Sequence, residues 1–198
     1  PSGNFGNAYS AWFGRSNGLS INQIFCSTNV NDVLRRFIDG GVLEPLVTQP
    51  SVAPSMDIQI PSSLERLIFD LSTEAKEFYA QLQNSSKAQL DEKSVGTLKS
   101  IFSSVTFSDE MIKTRITSLH DEFGIIFDPH TVTSVQMALD NDSSLPTVAV
   151  ATASPEKFGN VISPLINGFT ESKIDEKEQY MTLSTENAEI IEAIKAFI

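Results

Sequence analysis

The first seven residues are those whose types and spacing could carry chemistry. In order they are Pro1, Ser2, Gly3, Asn4, Phe5, Gly6 and Asn7. Glycine lets a ligand approach the backbone closely and can take a positive φ, and asparagine tolerates the left-handed region. A helical pattern follows directly, and a helix start directs free N–H groups and a positive dipole end at one point. The stretch therefore predicts an anion site, with phosphate as the expected guest, although a tight turn that merely starts a helix would read the same.

The elements that must position this loop alternate between helices and strands. Residues 6–17 read as a helix that Asn17 and Gly18 close, and residues 21–27 form an apolar run of strand length. The polar residues 29–32 then cap a second helix, which Gly40 and Gly41 end. This order predicts an α/β crossover layer on a parallel sheet.

The rest of the chain continues the same alternation. Residues 62–123 carry apolar side chains at three- and four-residue steps, which predict a cluster of helices packed on the sheet. Phe102 is assigned to one of these helical stripes. Helix starts are predicted at Asp128-Pro129 and Ser154-Pro155. Further strands are predicted at residues 47–49, 124–128, 145–153 and 180–183, and a closing helix at residues 186–197.

Length and composition exclude several classes of protein. The 198 residues are 40% hydrophobic and 20% charged, as expected for one globular domain. The formal charge of −11 disfavours nucleic acid and anionic membrane as partners, because both require a basic surface. No apolar run approaches the length of a membrane span. The lone cysteine, Cys26, excludes an internal disulfide and indicates a reducing compartment such as the cytoplasm.

Other constellations of reactive residues are weak. Ser2, Asp128 and His130 supply the residue types of a catalytic triad, but nothing in their spacing aligns them. His130 could serve as an acid or a base, and the favoured interpretation is a histidine hydrogen-bonded near a helix start. Two histidines and one cysteine give no basis for a metal site.

The wording of three landmark segments and of one shorter element resembles the threonine synthases, which belong to the fold type II (β-family) enzymes that use pyridoxal 5'-phosphate (PLP). Residues 2–15 resemble the loop that holds the cofactor phosphate in that family. Residues 55–70 resemble a second family motif, with Ser63 where the family commonly has asparagine. Residues 151–158 resemble a third, with Ser154 in place of the usual histidine, and residues 128–132 resemble a D-P-H-T-A element with Val132 at its end.

The resemblance implies a fold and a domain organisation. We expect an α/β fold, the three-layer parallel-sheet portion of a fold type II enzyme, with an added helical insertion at about residues 62–123. Residues 1–198 would form the C-terminal part of the large PLP-binding domain, with the N-terminal part absent.

The resemblance also implies a reaction and a set of site residues. The parent enzyme would convert O-phospho-L-homoserine and water into L-threonine and phosphate. The residues implied to bind PLP are Ser2, Gly3, Asn4, Phe5, Gly6, Asn7 and Thr152. The loop amides would hold the cofactor phosphate, Ser2 would support the turn, and Thr152 would hydrogen-bond the pyridine nitrogen.

No catalytic residue is expected in this chain. The family places the lysine that binds the cofactor aldehyde upstream of the phosphate loop, so the isolated chain is predicted to be inactive and to depend on the missing N-terminal half. The alternative is a non-catalytic fragment that binds an anion or a partner chain.

Overall fold

The computed structural model describes residues 1–170, 189–192 and 195. The α-helices are α1 (Gly6–Ser16), α2 (Val33–Gly40), α3 (Leu64–Leu71), α4 (Ala75–Ser85), α5 (Glu92–Ile101), α6 (Asp109–Phe123), α7 (Thr131–Leu139) and α8 (Gly159–Ile162). The strands are β1 (Ile24–Thr28), β2 (Val42–Leu43), β3 (Ala88–Gln89) and β4 (Phe102–Thr106). Short 3-10 helices cover Pro54–Met56 and Pro155–Phe158.

The strand β1 lies at the centre of the described structure. It pairs with β4 in parallel, with Ile24 opposite Phe102, while β2 and β3 form a separate antiparallel pair. Successive side chains of a strand point to opposite faces. Accordingly Cys26 belongs to one hydrophobic core, whereas Phe25 packs against the other.

Helices cover both faces of β1. The first core joins β1 and β4 to buried side chains of α1 to α5, and the second joins α6, α7 and α8. A hydrogen bond of 2.6 Å between the buried hydroxyls of Ser27 and Thr133 ties β1 to α7. The expected α/β architecture, with a parallel sheet between two helical layers, is therefore confirmed.

The predicted helical cluster at residues 62–123 is observed, but it also contains strand β4. Its helices are α3, α4, α5 and α6. Phe102, which we assigned to a helical stripe, is instead the first residue of β4. Its spacing from Leu98 and Ile101 fits a helix, and only the pairing with β1 decides for a strand. Part of this region thus belongs to the sheet layer.

Three predicted strands do not form strands in the described structure. Residues 47–49, 124–128 and 145–153 are assigned to no helix or strand. Apolar character suits a strand, but a strand exists only where a neighbour completes its backbone hydrogen bonds, and no such neighbour lies beside these segments among the described residues. The prediction for residues 180–183 lies outside the described residues. In the predicted closing helix, residues 189–192 and 195 are helical, and the remainder lies outside the described residues.

The single thiol belongs to β1 and is buried in the first core. Cys26 is 1% exposed, and burial raises its pKa to about 12. At pH 8 only about one thiol in ten thousand would then be ionised, and the thiolate is the reactive form. We expect thiol reagents such as iodoacetamide to modify the folded chain at least about 100-fold more slowly than the chain in urea, as measured by mass spectrometry. Equal rates would show that the sheet opens readily.

Among the described residues, no helix combines the length and the apolar character that crossing a membrane requires.

Candidate functional site

The glycine- and asparagine-rich segment, residues 1–7, forms a loop that leads into α1. Phe5 stands just before the helix with φ of 69°, and its side chain is fully buried. Its ring lies 5.6 Å from the ring of Phe102, so the loop is anchored to the sheet. The left-handed residue of the loop is therefore Phe5, while neither Gly3 nor Gly6 has a positive φ. Packing of the aromatic ring offsets the conformational cost of this backbone geometry.

Hydrogen bonds attach the loop to two elements. The amide of Ser2 donates to the carbonyl of Ser27 at the end of β1, at 2.9 Å. The side-chain oxygen of Asn4 accepts from the amide of Ser62 at 2.6 Å and from its hydroxyl at 3.0 Å. The amide of Ser63 donates to the carbonyl of Asn4 at 3.2 Å. The loop is thereby fixed between β1 and the start of α3.

Gly3 lies in direct contact with a second loop. A Cβ atom at this position would stand 2.7 Å from both the Cα of Met56 and the carbonyl oxygen of Ser55. Both atoms belong to the backbone and cannot move aside as a flexible side chain would. Close approach of two chain segments therefore requires glycine at position 3.

The loop leaves polar groups without protein partners. In the part of the chain that the structure describes, none of the backbone amides of residues 3–7 donates a hydrogen bond. The buried hydroxyl of Ser2 likewise has no partner. Residues 1–7 line a cavity of about 250 Å³. The amides of Gly6 and Asn7 belong to the open first turn of α1, and the Ser2 hydroxyl is buried without a partner among the described residues. This group of free donors suits an anionic ligand.

Thr152, which is distant in sequence, lines the same cavity. Its amide donates to the hydroxyl of Thr131 at 3.0 Å, and this bond holds the segment on the start of α7. The hydroxyl of Thr152 has no partner in the described part of the chain. The structure thus brings all seven residues named by the sequence, Ser2, Gly3, Asn4, Phe5, Gly6, Asn7 and Thr152, to the wall of one cavity.

His130 is buried on the wall of this cavity, and both of its ring nitrogens are engaged. Its Nδ1 lies 2.8 Å from Asp128 Oδ1, and its Nε2 accepts a hydrogen bond from the amide of Ser55 at 3.1 Å. An accepting Nε2 places the ring proton on Nδ1, which donates to Asp128. The arrangement confirms the interpretation of a histidine bonded near a helix start. Ser2 takes no part in it, because the hydroxyl of Ser2 has no partner.

Asp128 secures this histidine and the start of α7. Burial by itself would raise the pKa of Asp128, but hydrogen bonds from His130 and Thr131 outweigh it and hold the pKa below its ordinary value. A lowered pKa stabilises the fold above the ordinary value of about 3.9, and this contribution is lost as the pH falls through the folded-state pKa.

We therefore expect Asp128→Asn to lower the free energy of unfolding by about 1–2 kcal/mol at pH 7. The difference from wild type should shrink below about pH 4, because the carboxyl becomes protonated first in the unfolded chain and then, at lower pH, in the folded one. Urea unfolding at several pH values would measure it. Asp121→Asn, on an exposed side chain of α6, is the control. A difference that does not vary with pH would contradict the assignment.

The sequence alone did not identify a buried polar network beneath the segment that contacts Gly3, residues 49–57, which we call the covering loop. The carboxylate of Asp57 accepts hydrogen bonds from Asn29 at 2.6 Å, from Asn31 at 2.9 Å and from the hydroxyl of Ser51 at 2.7 Å. Asn29 and Asn31 are almost fully buried. Asparagines after the end of a predicted strand were the available signal, and we interpreted them only as helix caps. The network holds residues 49–57 in place, including the backbone that contacts Gly3.

Comparisons with known proteins point to one family. No protein-family model matches the chain. It is 33% identical over 168 residues to the threonine synthase of Pseudomonas aeruginosa, and 29% identical over 93% of its length to that of Saccharomyces cerevisiae. It superimposes on the PLP-bound threonine synthase of Brucella melitensis with a TM-score of 0.83 over 99% of the chain, at 28% identity. The chain is homologous to the threonine synthases. The yeast threonine synthase structure gives a TM-score of 0.79 at 29% identity.

The homology covers only part of a threonine synthase. The chain spans 36% of the Pseudomonas protein, 41% of the yeast protein and 45% of the Brucella chain. This extent is consistent with a C-terminal portion. Among the lysines that the structure describes, none lines the cavity.

Of the three residues that depart from the family wording, Val132 is buried in the second core, while Ser63 and Ser154 occupy different environments. Ser63 lies beside the loop, since a Cβ on Gly6 would stand 3.9 Å from the hydroxyl of Ser63. Ser154 lies outside the lining of the cavity and donates to the carboxylate of Glu156 at 3.1 Å. Ser63 is therefore the substitution that adjoins the candidate threonine synthase site.

Proposed function

We propose that this chain is the C-terminal part of the PLP-binding domain of a cytoplasmic threonine synthase, a lyase that converts O-phospho-L-homoserine and water into L-threonine and phosphate. The observation that carries the proposal is the set of free donors in one cavity. Among the residues that the structure describes, five consecutive amides and the Ser2 hydroxyl lack protein partners, and the cavity also includes Thr152. The homology to threonine synthases supports the same assignment.

The loop suits the phosphate group of PLP. The amides of residues 3–7 would donate to the phosphate oxygens together with the Ser2 hydroxyl, and the N-terminus of α1 adds the positive end of its dipole. No lysine or arginine lines the cavity in the described residues, so backbone dipoles rather than a formal cation would hold the anion. Bound PLP would supply the electron sink that the reaction requires.

Thr152 suits the pyridine nitrogen of the same cofactor. Its unpartnered hydroxyl keeps its proton at neutral pH and would donate it to the ring nitrogen in a hydrogen bond. A neutral donor leaves that nitrogen largely unprotonated, whereas a carboxylate at this position would favour the protonated ring.

His130 acts as a positioning residue in this proposal. Both ring nitrogens are occupied, so the side chain has no free group for proton transfer. Its bond to the amide of Ser55 holds the backbone that contacts Gly3, and it thereby keeps the phosphate loop in its conformation. The lysine that binds the cofactor aldehyde belongs to the remainder of the enzyme.

Binding of the cofactor phosphate can be tested on the chain itself. Equilibrium dialysis should show that PLP binds at least about 30-fold more tightly than pyridoxal, which lacks the phosphate. Borohydride reduction followed by digestion should give no peptide of this chain with labelled lysine. Equal binding of the two compounds, or a specifically labelled lysine, would overturn the proposal.

The role of Thr152 can be tested in the complete enzyme. Thr152→Val should lower phosphate release from O-phospho-L-homoserine about 10- to 100-fold, because the ring nitrogen loses its donor. Thr97→Val is the matched control, since the hydroxyl of Thr97 is exposed and bonds only within α5. Equal activities of the two variants would remove Thr152 from the site.

A further inference from the structure

Asparagine precedes glycine at two places in this chain, Asn17-Gly18 and Asn167-Gly168. In such a pair the glycine nitrogen can attack the side-chain carbonyl carbon (Cγ) of the asparagine, because glycine has no Cβ to obstruct the approach. The attack forms a bond between nitrogen and Cγ, releases ammonia together with the amide proton, and leaves a succinimide ring. Water then opens the ring to aspartate or isoaspartate. No enzyme or oxidant takes part, so local structure decides which pair reacts.

The first pair is held by the last turn of α1, where Asn17 is the C-cap residue. The side-chain amide of Asn17 donates to the carbonyl of Phe13 at 2.8 Å. The backbone amide of Gly18 donates to the carbonyl of Arg15 at 3.0 Å. Both reacting groups, the attacking nitrogen and the side chain that it must reach, are therefore engaged. Attack at Asn17 requires the last turn of α1 to open first.

The second pair lacks these bonds. Asn167 and Gly168 are both exposed, in a turn that follows α8. Within the described part of the chain, neither the side chain of Asn167 nor the amide of Gly168 has a hydrogen-bond partner. The amide of Phe169 donates to the carbonyl of Ile166 at 3.2 Å and closes the turn. The reacting groups of this pair can therefore approach each other through a local rotation, without the opening of a helix.

We propose that Asn167 is a site of spontaneous deamidation and that the last turn of α1 protects Asn17 from the same reaction. The glycines of the two pairs have similar backbone geometry, with φ of 99° at Gly18 and 82° at Gly168. Glycine conformation therefore does not distinguish the pairs, whereas the hydrogen bonds of the reacting groups do. The proposal is independent of the proposed function, because it uses no ligand and no catalytic residue.

The turn at Asn167 joins two side chains of the second core. Ile166 is 5% exposed, and Phe169 packs against the same cluster from the other side of the pair. Both products add a negative charge at position 167. Isoaspartate also inserts a side-chain carbon into the main chain between Ile166 and Phe169. Because protein interiors are closely packed, a longer connection between two anchored side chains disturbs their fit, and the modification would reach the second core in this way.

The test incubates the folded protein in mildly alkaline buffer, where the glycine amide loses its proton more readily, and follows both asparagines by peptide mass spectrometry. Asn167 should convert at least about tenfold faster than Asn17, because only Asn17 must wait for local opening of a helix. The same measurement in urea removes the structure around both pairs. There the two rates should agree within about threefold, through acceleration at Asn17.

Asn167→Gln is the matched control for the assignment. Glutamine would have to close a larger ring, so conversion of the peptide that contains position 167 should stop. The side chain is exposed, so the change should not affect folding, and urea unfolding checks this. Continued conversion of that peptide in the variant would overturn the proposal, as would equal rates at the two asparagines in the folded protein. A difference that persists undiminished in urea would also overturn it, because the neighbouring sequence rather than the fold would then set the rates.

Discussion

Replacement of Gly3 by alanine is expected to lower the free energy of unfolding by about 2–3 kcal/mol, the range of an overpacked core. The new methyl group would stand 2.7 Å from two backbone atoms, one in Ser55 and one in Met56. Either the loop of residues 1–7 or the covering loop must move. Urea unfolding of the chain measures the loss.

The same substitution should weaken PLP binding at least about tenfold, because displaced loop amides no longer converge on one phosphate. Gly96→Ala is the matched control. A Cβ at Gly96 meets no atom within 4 Å, and the residue lies inside α5. Alanine there should stabilise the chain by about 0.5–1 kcal/mol through helix propensity. If Gly3→Ala behaved like Gly96→Ala, the close approach of the two loops would be wrong.

Replacement of Asp57 by alanine is expected to be at least as damaging, with a loss of about 2–4 kcal/mol, because several buried donors lose their shared acceptor. Its carboxylate is a shared acceptor for Asn29, Asn31 and Ser51. Without it, the amide groups of two almost fully buried asparagines would lack this partner. Thermal and urea unfolding would measure the effect.

Asp39→Ala provides the matched control for Asp57→Ala. Asp39 forms an exposed ion pair with Arg35 at 2.8 Å, and such pairs contribute at most about 1 kcal/mol. Asp57→Asn should fall between the two, because one oxygen remains as an acceptor while the new amide faces other donors. A loss below about 1 kcal/mol for Asp57→Ala would mean that the network does not support the covering loop.

Both predictions imply that the stability of the candidate site depends on contacts between segments that are distant in sequence. Gly3 and Ser55 meet across the cavity wall, and His130 fixes Ser55 from a third segment. A change at Ser55 or His130 should therefore disturb the loop of residues 1–7 without altering a proposed donor to the ligand, whereas Gly3 belongs to both groups. This separates residues that position the loop from residues that would contact PLP.

The sequence by itself determined the local features of this protein. Glycine and asparagine spacing before a helical pattern identified the loop, and three stretches of wording identified the family. The limits of α1 and α2 followed from their caps and apolar faces, because those signals act over a few residues. The core strand β1 (Ile24–Thr28) was also found from its own composition, although the predicted run of residues 21–27 began three residues too early.

Only the tertiary structure decided which apolar runs become strands and which residue of the loop of residues 1–7 takes the left-handed conformation. Phe102 begins a strand because β1 lies beside it, and residues 145–150 remain unpaired because no described segment does. Likewise Phe5 adopts the left-handed conformation expected of glycine because its ring is buried in the core. Strand pairing and side-chain burial depend on partners far along the chain, and spacing within one segment carries no information about those partners.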